Sequence, residues 1–312
     1  MFLALLAAGA LSLADAAALE LRFRGVVRIE RGEEQEQRGY GMSAGTAFWV
    51  ASISKSFTAA LVVRLADLGK LRLEDRVLDS ALTFDELLTH TSGLPRTTYV
   101  AEGIADAGEA ARKILALPRG PKGRFAYTSD GYSLLAIAAE KAGGAPFFEL
   151  LRREVLDRAG LGHTGFWPRC VRGAHVAPLS RPPRGARAKE NWGFKGAEGI
   201  CSTAEDLARF VRALRAGALV RSPALLFEKR VATSQDFAAR GFFVSPDGTV
   251  WTRGTEDYGH NGVVKLLANG VVLVALFDVP ALKRDDVAPS RAMGDLLEQR
   301  LATASAGQPA PR

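Results

Sequence analysis

The sequence predicts an α+β fold: an antiparallel sheet flanked by helices, plus a helical lobe. Three observations carry this. Strand-like runs rich in β-branched and apolar residues sit near both ends of the chain. Helix-period patterns dominate roughly residues 83–209 between them. Asn269-Gly270, lying between two apolar runs, is a strong signal for a hairpin turn. With 312 residues there is room for two lobes or one large domain.

Met1 to Leu13 is apolar and uncharged, shorter than the roughly 20 residues a membrane-spanning helix needs. Ala14-Asp15-Ala16 follows as a small-residue cleavage signal. Residues 1–16 therefore read as a signal peptide, and the protein is expected to be exported, periplasmic or secreted. No Lys or Arg precedes the apolar run, so a membrane anchor is the other reading. Leu19 to Glu30 reads as the first strand, and Gly32 starts a turn. A helix is expected from Ser52 to Leu68, stopped by Gly69. Its apolar residues cover much of its circumference, which predicts burial on several sides.

Further helices are expected over Asp130–Ala142 and Pro146–Leu156. Arg169 to Lys195, rich in Arg, Pro and Gly, reads as an irregular excursion. Ser202-Thr203-Ala204-Glu205 has capping-box spacing, with Ser202 as cap of a helix over Ala204–Arg215. Strands are expected at Gly241–Val244, Gly248–Arg253, Val263–Ala268 and Gly270–Phe277. A last helix over Pro289–Ala302 covers the sheet, and 303–312 is a frayed tail. The domain then runs from 17 to 302, with a sheet lobe over 19–80 and 210–302 and a helical lobe over 81–209.

Hydrophobic residues make up 47% and charged residues 24%, which excludes a disordered, collagenous or disulfide-stapled chain. The net charge of +7 is scattered Arg rather than a basic run with aromatics, so no nucleic-acid partner is expected. The histidines, His90, His163, His175 and His260, are not spaced as metal ligands, and neither metal nor organic cofactor is expected. Cys170 and Cys201 could be joined in an exported protein; two buried thiols fit the sequence equally well.

Three sites suggest chemistry. Ser52-Ile53-Ser54-Lys55 puts a hydroxyl and an amine one turn apart at a helix start. A serine needs a base beside it, and a helix N-terminus favours an oxyanion. The flanks Phe48, Trp49, Val50 and Phe57 are apolar, so Lys55 would be a buried charge. Tyr127 precedes a helix and is a candidate base. His260, in Tyr258-Gly259-His260-Asn261-Gly262, precedes a strand whose Val263 amide could pair with that of Ser52 as an oxyanion hole.

Together these sites resemble the serine β-lactamase-like and penicillin-binding-protein superfamily, in its branch of class C β-lactamases, D-Ala-D-Ala carboxypeptidases and family VIII esterases. The resemblance spans nearly the whole chain. It rests on Ala51 to Ser56, Leu87 to Pro95 (LLTHTSGLP), Tyr127 to Tyr132, Ser202 to Phe210 and His260-Asn261-Gly262. It implies a β-lactamase/transpeptidase-like fold and an acyl-enzyme on Ser52, with Lys55 and Tyr127 sharing the proton work. His260 stands in the third motif, the amides of Ser52 and Val263 hold the oxyanion, and Ser129, Asn261 and Gly262 contact substrate. It also implies a structural His90, a small-molecule or peptide substrate, and association with the cell envelope.

The sequence departs from that pattern in four places. The second motif, Y-x-N in the family, reads Tyr127-Thr128-Ser129, which weakens amide recognition and shifts weight toward esters. The family's Gly-Gly reads Ala197-Glu198-Gly199, with Glu198 expected to face solvent. The strand continues directly after His260-Asn261-Gly262, and the usual helix before the first strand is missing. The expected function is a serine hydrolase acting on esters, D-amino acid peptides or β-lactam-like amides. A non-catalytic envelope protein that binds peptidoglycan or a partner is the alternative, and a class C-like β-lactamase a third.

Overall fold

Both ends of the chain build one sheet. The computed structural model describes residues 14–171, 175–255, 260–278 and 289–306. Its strands are β1 (Gly25–Arg31), β2 (Glu34–Tyr40), β3 (Phe48–Trp49), β4 (Gly165–Phe166), β5 (Ile200–Ser202), β6 (Val231–Ala232), β7 (Phe237–Ala238), β8 (Phe243–Val244), β9 (Val250–Thr255), β10 (His260–Leu266) and β11 (Val272–Asp278). The helices are α1 (residues 14–20), α2 (Ser54–Asp67), α3 (Phe84–Leu88), α4 (Ala107–Leu115), α5 (Ser129–Gly143), α6 (Phe147–Leu151), α7 (Asp157–Ala159), α8 (Ala204–Arg215), α9 (Ala224–Phe227) and α10 (Pro289–Ala306).

The main sheet has eight strands in the order β2-β1-β11-β10-β9-β8-β7-β6, with antiparallel neighbours. The pairing of β1 with β11 joins the two ends as expected. Strand periodicity sorts the side chains between two faces. Val27, Ile29, Leu273, Ala275 and Phe277 pack on one face with Met293 and Leu297 of α10. Val26, Val272, Val274 and Leu276 face the larger core, which holds α2, α5 and α8. The Asn269-Gly270 turn is present: Gly270 has φ +90°, and Leu267 N–H donates to the Val271 carbonyl at 2.8 Å. A small sheet, β3-β5-β4, carries the chain into α2. α2 is buried along nearly all its length, as its apolar circumference predicts, and Gly69 beyond its end has φ +69°.

Several expectations are corrected. A helix does precede β1. Residues 14–20 are helical because the segment is rich in alanine, the best helix former, and Ala14, Ala17 and Ala18 bury against the α10 side of the sheet. The strand thus starts at Gly25 rather than Leu19. The expected cleavage point after Ala16 falls inside this helix; Met1 to Leu13 lie outside the described residues. The helix expected from Ser52 opens as a 3₁₀ turn, Ala51–Ile53, and becomes α-helical at Ser54.

The cap of α8 is Thr203, whose hydroxyl accepts from Asp206 N–H at 3.2 Å. Ser202 is still in β5, and its hydroxyl meets Thr164 at 2.8 Å. β2 (EQEQRGY) had no apolar signal, because it is a polar edge strand. α10 runs on to Ala306, into the expected tail; 307–312 lie outside the described residues. Cys170 and Cys201 are joined, their Cα atoms 5.1 Å apart, which settles the open alternative.

Candidate active site

β3 ends at Trp49, and Ala51 turns the chain with φ +52°, a left-handed conformation that is strained for a residue with a Cβ. That turn presents Ser52, half-buried, at the start of α2. Gly254 of β9 presses on the turn; a Cβ there would run into the Val50 carbonyl and Ala51, so only glycine fits. Lys55, 3% exposed, lies one turn on. Its Nζ donates to Ser52 Oγ at 3.0 Å and to the Ala197 carbonyl at 3.1 Å. α2 also anchors the segment carrying that carbonyl: Thr58 Oγ1 donates to the Gly196 carbonyl at 2.7 Å, and Ser54 Oγ accepts from Ile200 N–H at 3.0 Å.

Tyr127 sits in the loop ahead of α5, its ring centre 5.1 Å from Lys55 Nζ. His90 shapes that loop. Its carbonyl accepts from Ala126 N–H at 2.9 Å, its Nδ1 accepts from Thr128 N–H at 3.2 Å, and its ring lies 4.6 Å from that of Tyr127. Burial, and then the Lys55 charge, push the His90 pKa down to about 3, so it stays neutral. Ser52, Lys55, Tyr127 and His90 line one pocket with Gly241, Phe242, Phe243, Thr252 and Arg253. The expected serine, lysine and tyrosine are thus brought together.

The third expected group is not. His260 is fully buried, and its Nδ1 accepts from Trp49 N–H at 3.1 Å, with the Phe48 ring 5.4 Å away. Burial lowers its pKa against the opposing pull of Asp278. Asn261 is buried as well, and a Cβ on Gly262 would collide with Ile53 and Leu276. None of the three lines the Ser52 pocket, so they serve packing at the start of β10 rather than substrate contact. Tyr258 and Gly259 lie outside the described residues.

Val263 also fails as oxyanion donor. β10 is an interior strand, and its ladder parity, fixed by the Leu267–Val271 bond, turns the Val263 amide to Ala275 of β11. The same parity turns the odd residues of β9 away from β10. β8 pairs with Val250 and Trp251, and Arg253, two residues on, lines the pocket beside Ser52 with its N–H turned away from β10. The strand itself was expected at Gly248–Arg253, but not its place beside Ser52; the available signal was a glycine inside a strand, Thr252-Arg253-Gly254-Thr255.

Ser129 and Glu198 also differ from expectation. Ser129 is 2% exposed, and its hydroxyl donates to Glu198 Oε1 at 3.0 Å instead of facing the pocket. Glu198 does not face solvent: it is 3% exposed, with Oε1 4.0 Å from Lys55 Nζ. Asp130, as expected, points elsewhere, accepting the N–H groups of Thr98, Tyr99 and Val100 at 2.9 to 3.2 Å. Among the described residues no cluster of three or more ligand-type side chains could hold a metal ion.

The chain matches the beta-lactamase family over residues 12–296. It is 28% identical to penicillin-binding protein 4 of Amycolatopsis lactamdurans over 301 residues, covering 77% of each chain. Over 188 residues it is 27% identical to the D-alanyl-D-alanine-carboxypeptidase/endopeptidase AmpH of Escherichia coli (strain K12), covering 52% of this chain and about half (47%) of that protein. The crystal structure of a β-lactamase/D-alanine carboxypeptidase from Pseudomonas syringae superposes with a TM-score of 0.79 at 18% identity, covering 96% of this chain and 100% of that one. The sheet with its flanking helices is therefore the β-lactamase/transpeptidase-like fold, and a match over most of its length makes the chain a member of the beta-lactamase family.

Proposed function

We propose that the protein is a serine hydrolase that transfers acyl groups to water through an ester on Ser52. The observation that carries this reading is the contact of Lys55 Nζ with Ser52 Oγ at 3.0 Å, in a pocket shared with Tyr127. Ser52 attacks the acyl carbon, and the Ser52 and Arg253 amides receive the developing oxyanion. Lys55 and Tyr127 manage the serine proton, and water then releases the acyl group. Favoured substrates are esters and D-amino acid peptides. Ser129 gives its one O–H to Glu198 and has no donor left for a substrate's amide carbonyl, which favours esters over substrates held through an amide, peptides and β-lactams alike.

The apolar N-terminal run and the Cys170–Cys201 disulfide support an exported protein. Incubating the protein with p-nitrophenyl esters, nitrocefin and a D-Ala-D-Ala peptide, with intact-mass analysis, tests the reading. An adduct on Ser52 that is absent from Ser52→Ala is the expected result. Labelling by a fluorophosphonate that survives Ser52→Ala removes Ser52 as nucleophile.

A further inference from the structure

Two departures from the family pattern, Ser129 and Glu198, stand 69 residues apart and touch in the structure. We propose that Glu198, steadied by Ser129, is a positioning residue that holds Lys55 as an ammonium donating to Ser52 Oγ, leaving the serine proton to Tyr127. This rests on the serine-hydrolase reading for its chemistry, but the charge of Lys55 is measurable without turnover.

Geometry carries the argument. A carboxylate with 3% exposure is costly unless it is paired and hydrogen-bonded. Glu198 has both: the Ser129 hydroxyl at 3.0 Å and the Lys55 amine at 4.0 Å. Lys55 Nζ hydrogen-bonds to two acceptors, Ser52 Oγ at 3.0 Å and the Ala197 carbonyl at 3.1 Å, and lies at ion-pair distance, 4.0 Å, from Glu198 Oε1.

The groups facing Nζ come from several elements. Ser52 is on its own turn. Tyr127 and Tyr132 come from α5 and the loop before it, with ring centres at 5.1 and 5.9 Å. His90 follows α3 and is neutral, and Arg253 of β9 lines the same pocket. Glu198 is the carboxylate among them, and an opposite charge at this distance favours the protonated amine.

The proton path then balances without Lys55. As the Oγ–acyl bond forms and the bond to the leaving oxygen breaks, the serine proton moves to Tyr127 Oη. The hydroxyl proton of Tyr127 passes to the leaving oxygen. Water enters by the reverse relay, and Lys55 keeps its proton throughout. The same clamp explains why Ser129 is tolerated in the second motif: it serves the carboxylate, not the substrate.

The test is the titration of Lys55, followed by NMR of protein labelled at lysine side-chain nitrogens and assigned with Lys55→Arg. Glu198→Gln keeps the shape and the Ser129 contact while removing the charge. The Lys55 midpoint is expected to fall by about one pH unit or more; equal midpoints overturn the proposal. Should Glu198→Gln not fold, the double variant Ser129→Asn/Glu198→Gly removes the same charge and is read the same way. With a turned-over ester, Glu198→Gln is expected to lower kcat about tenfold with little change in KM, and Glu198→Asp to recover part of it. Absence of any Ser52 adduct in the unmodified protein ends the hydrolase reading instead, and the Lys55 midpoint still decides the clamp.

Discussion

The backbone N–H of Trp49 donates to Nδ1 of His260, joining two residues 211 positions apart in the sequence. The bond fixes the strand that delivers Ser52 against the central sheet, and it assigns the proton of the neutral imidazole to Nε2. His260 is thereby a support for the nucleophile turn. His260→Ala is expected to cost about 2–4 kcal/mol, from an orphaned buried N–H plus a cavity. His260→Asn, which restores an acceptor, should recover part of that. Urea denaturation measures both. Ester turnover per folded molecule is expected to survive better than in Lys55→Ala; an equal loss would make His260 a participant in the chemistry.

The Arg253 amide is the second predicted oxyanion donor. Arg253→Pro deletes that N–H, which the ladder parity turns away from β10, so no bond of the β9–β10 ladder is lost. It is expected to lower kcat by about 10²–10³-fold, whereas Arg253→Ala, which keeps the amide, should not. Steady-state kinetics of the two variants decides the matter, and equal effects would transfer the role to the side chain.

Acid should weaken the fold through His90. Its folded pKa of about 3 lies below its ordinary value of 6.5, so the unfolded chain binds the proton first as pH falls. Stability is complete above about pH 6.5 and declines toward pH 3, by up to about 1.4 kcal/mol per pH unit for this group. His90→Asn tolerates the left-handed backbone at φ +58° and does not titrate in this range. Its Tm should therefore change less between pH 7 and 4.5 than that of the parent; parallel curves would exclude His90 as the source.

Removal of residues 1–16 truncates α1. It deletes the buried Ala14 and Asp15, which receives Arg38 Nη1 and the Tyr40 hydroxyl, each at 2.9 Å. A chain starting at Ala17 is expected to lose about 1–2 kcal/mol relative to the full chain, because the ion pair is half-exposed and contributes little. Thermal melting of the two proteins side by side measures this, and N-terminal sequencing of the natural product shows which one the cell makes.

The parts of the site that could be read in the sequence are local ones. Ser52 and Lys55 face each other because three residues make one turn, and α2 is buried because its apolar residues ring it. Tyr127 was recognised through a pattern rather than a period. The third wall could not be read this way. Whether β9 or β10 lies against Ser52 depends on where β8 stops pairing, a property of the assembled sheet. His260-Asn261-Gly262 carried the familiar letters, while the strand against the nucleophile turn is Thr252-Arg253-Gly254-Thr255. Glu198 was taken for a surface charge because its two partners, Ser129 and Lys55, lie far off in the chain. Residues 14–16 read as the end of a leader and Leu19 onward as strand, since alanine suits a cleavage site and a packed helix alike.

Cys201 stands in β5 opposite Trp49, the last residue before the chain bends toward its nucleophile. Its bond to Cys170 therefore tethers the floor under Ser52 to a long surface excursion. Batches matured in a reducing cytosol and in an oxidising compartment are thus different reagents. Counting thiols with an alkylating probe belongs before any comparison of their specific activities.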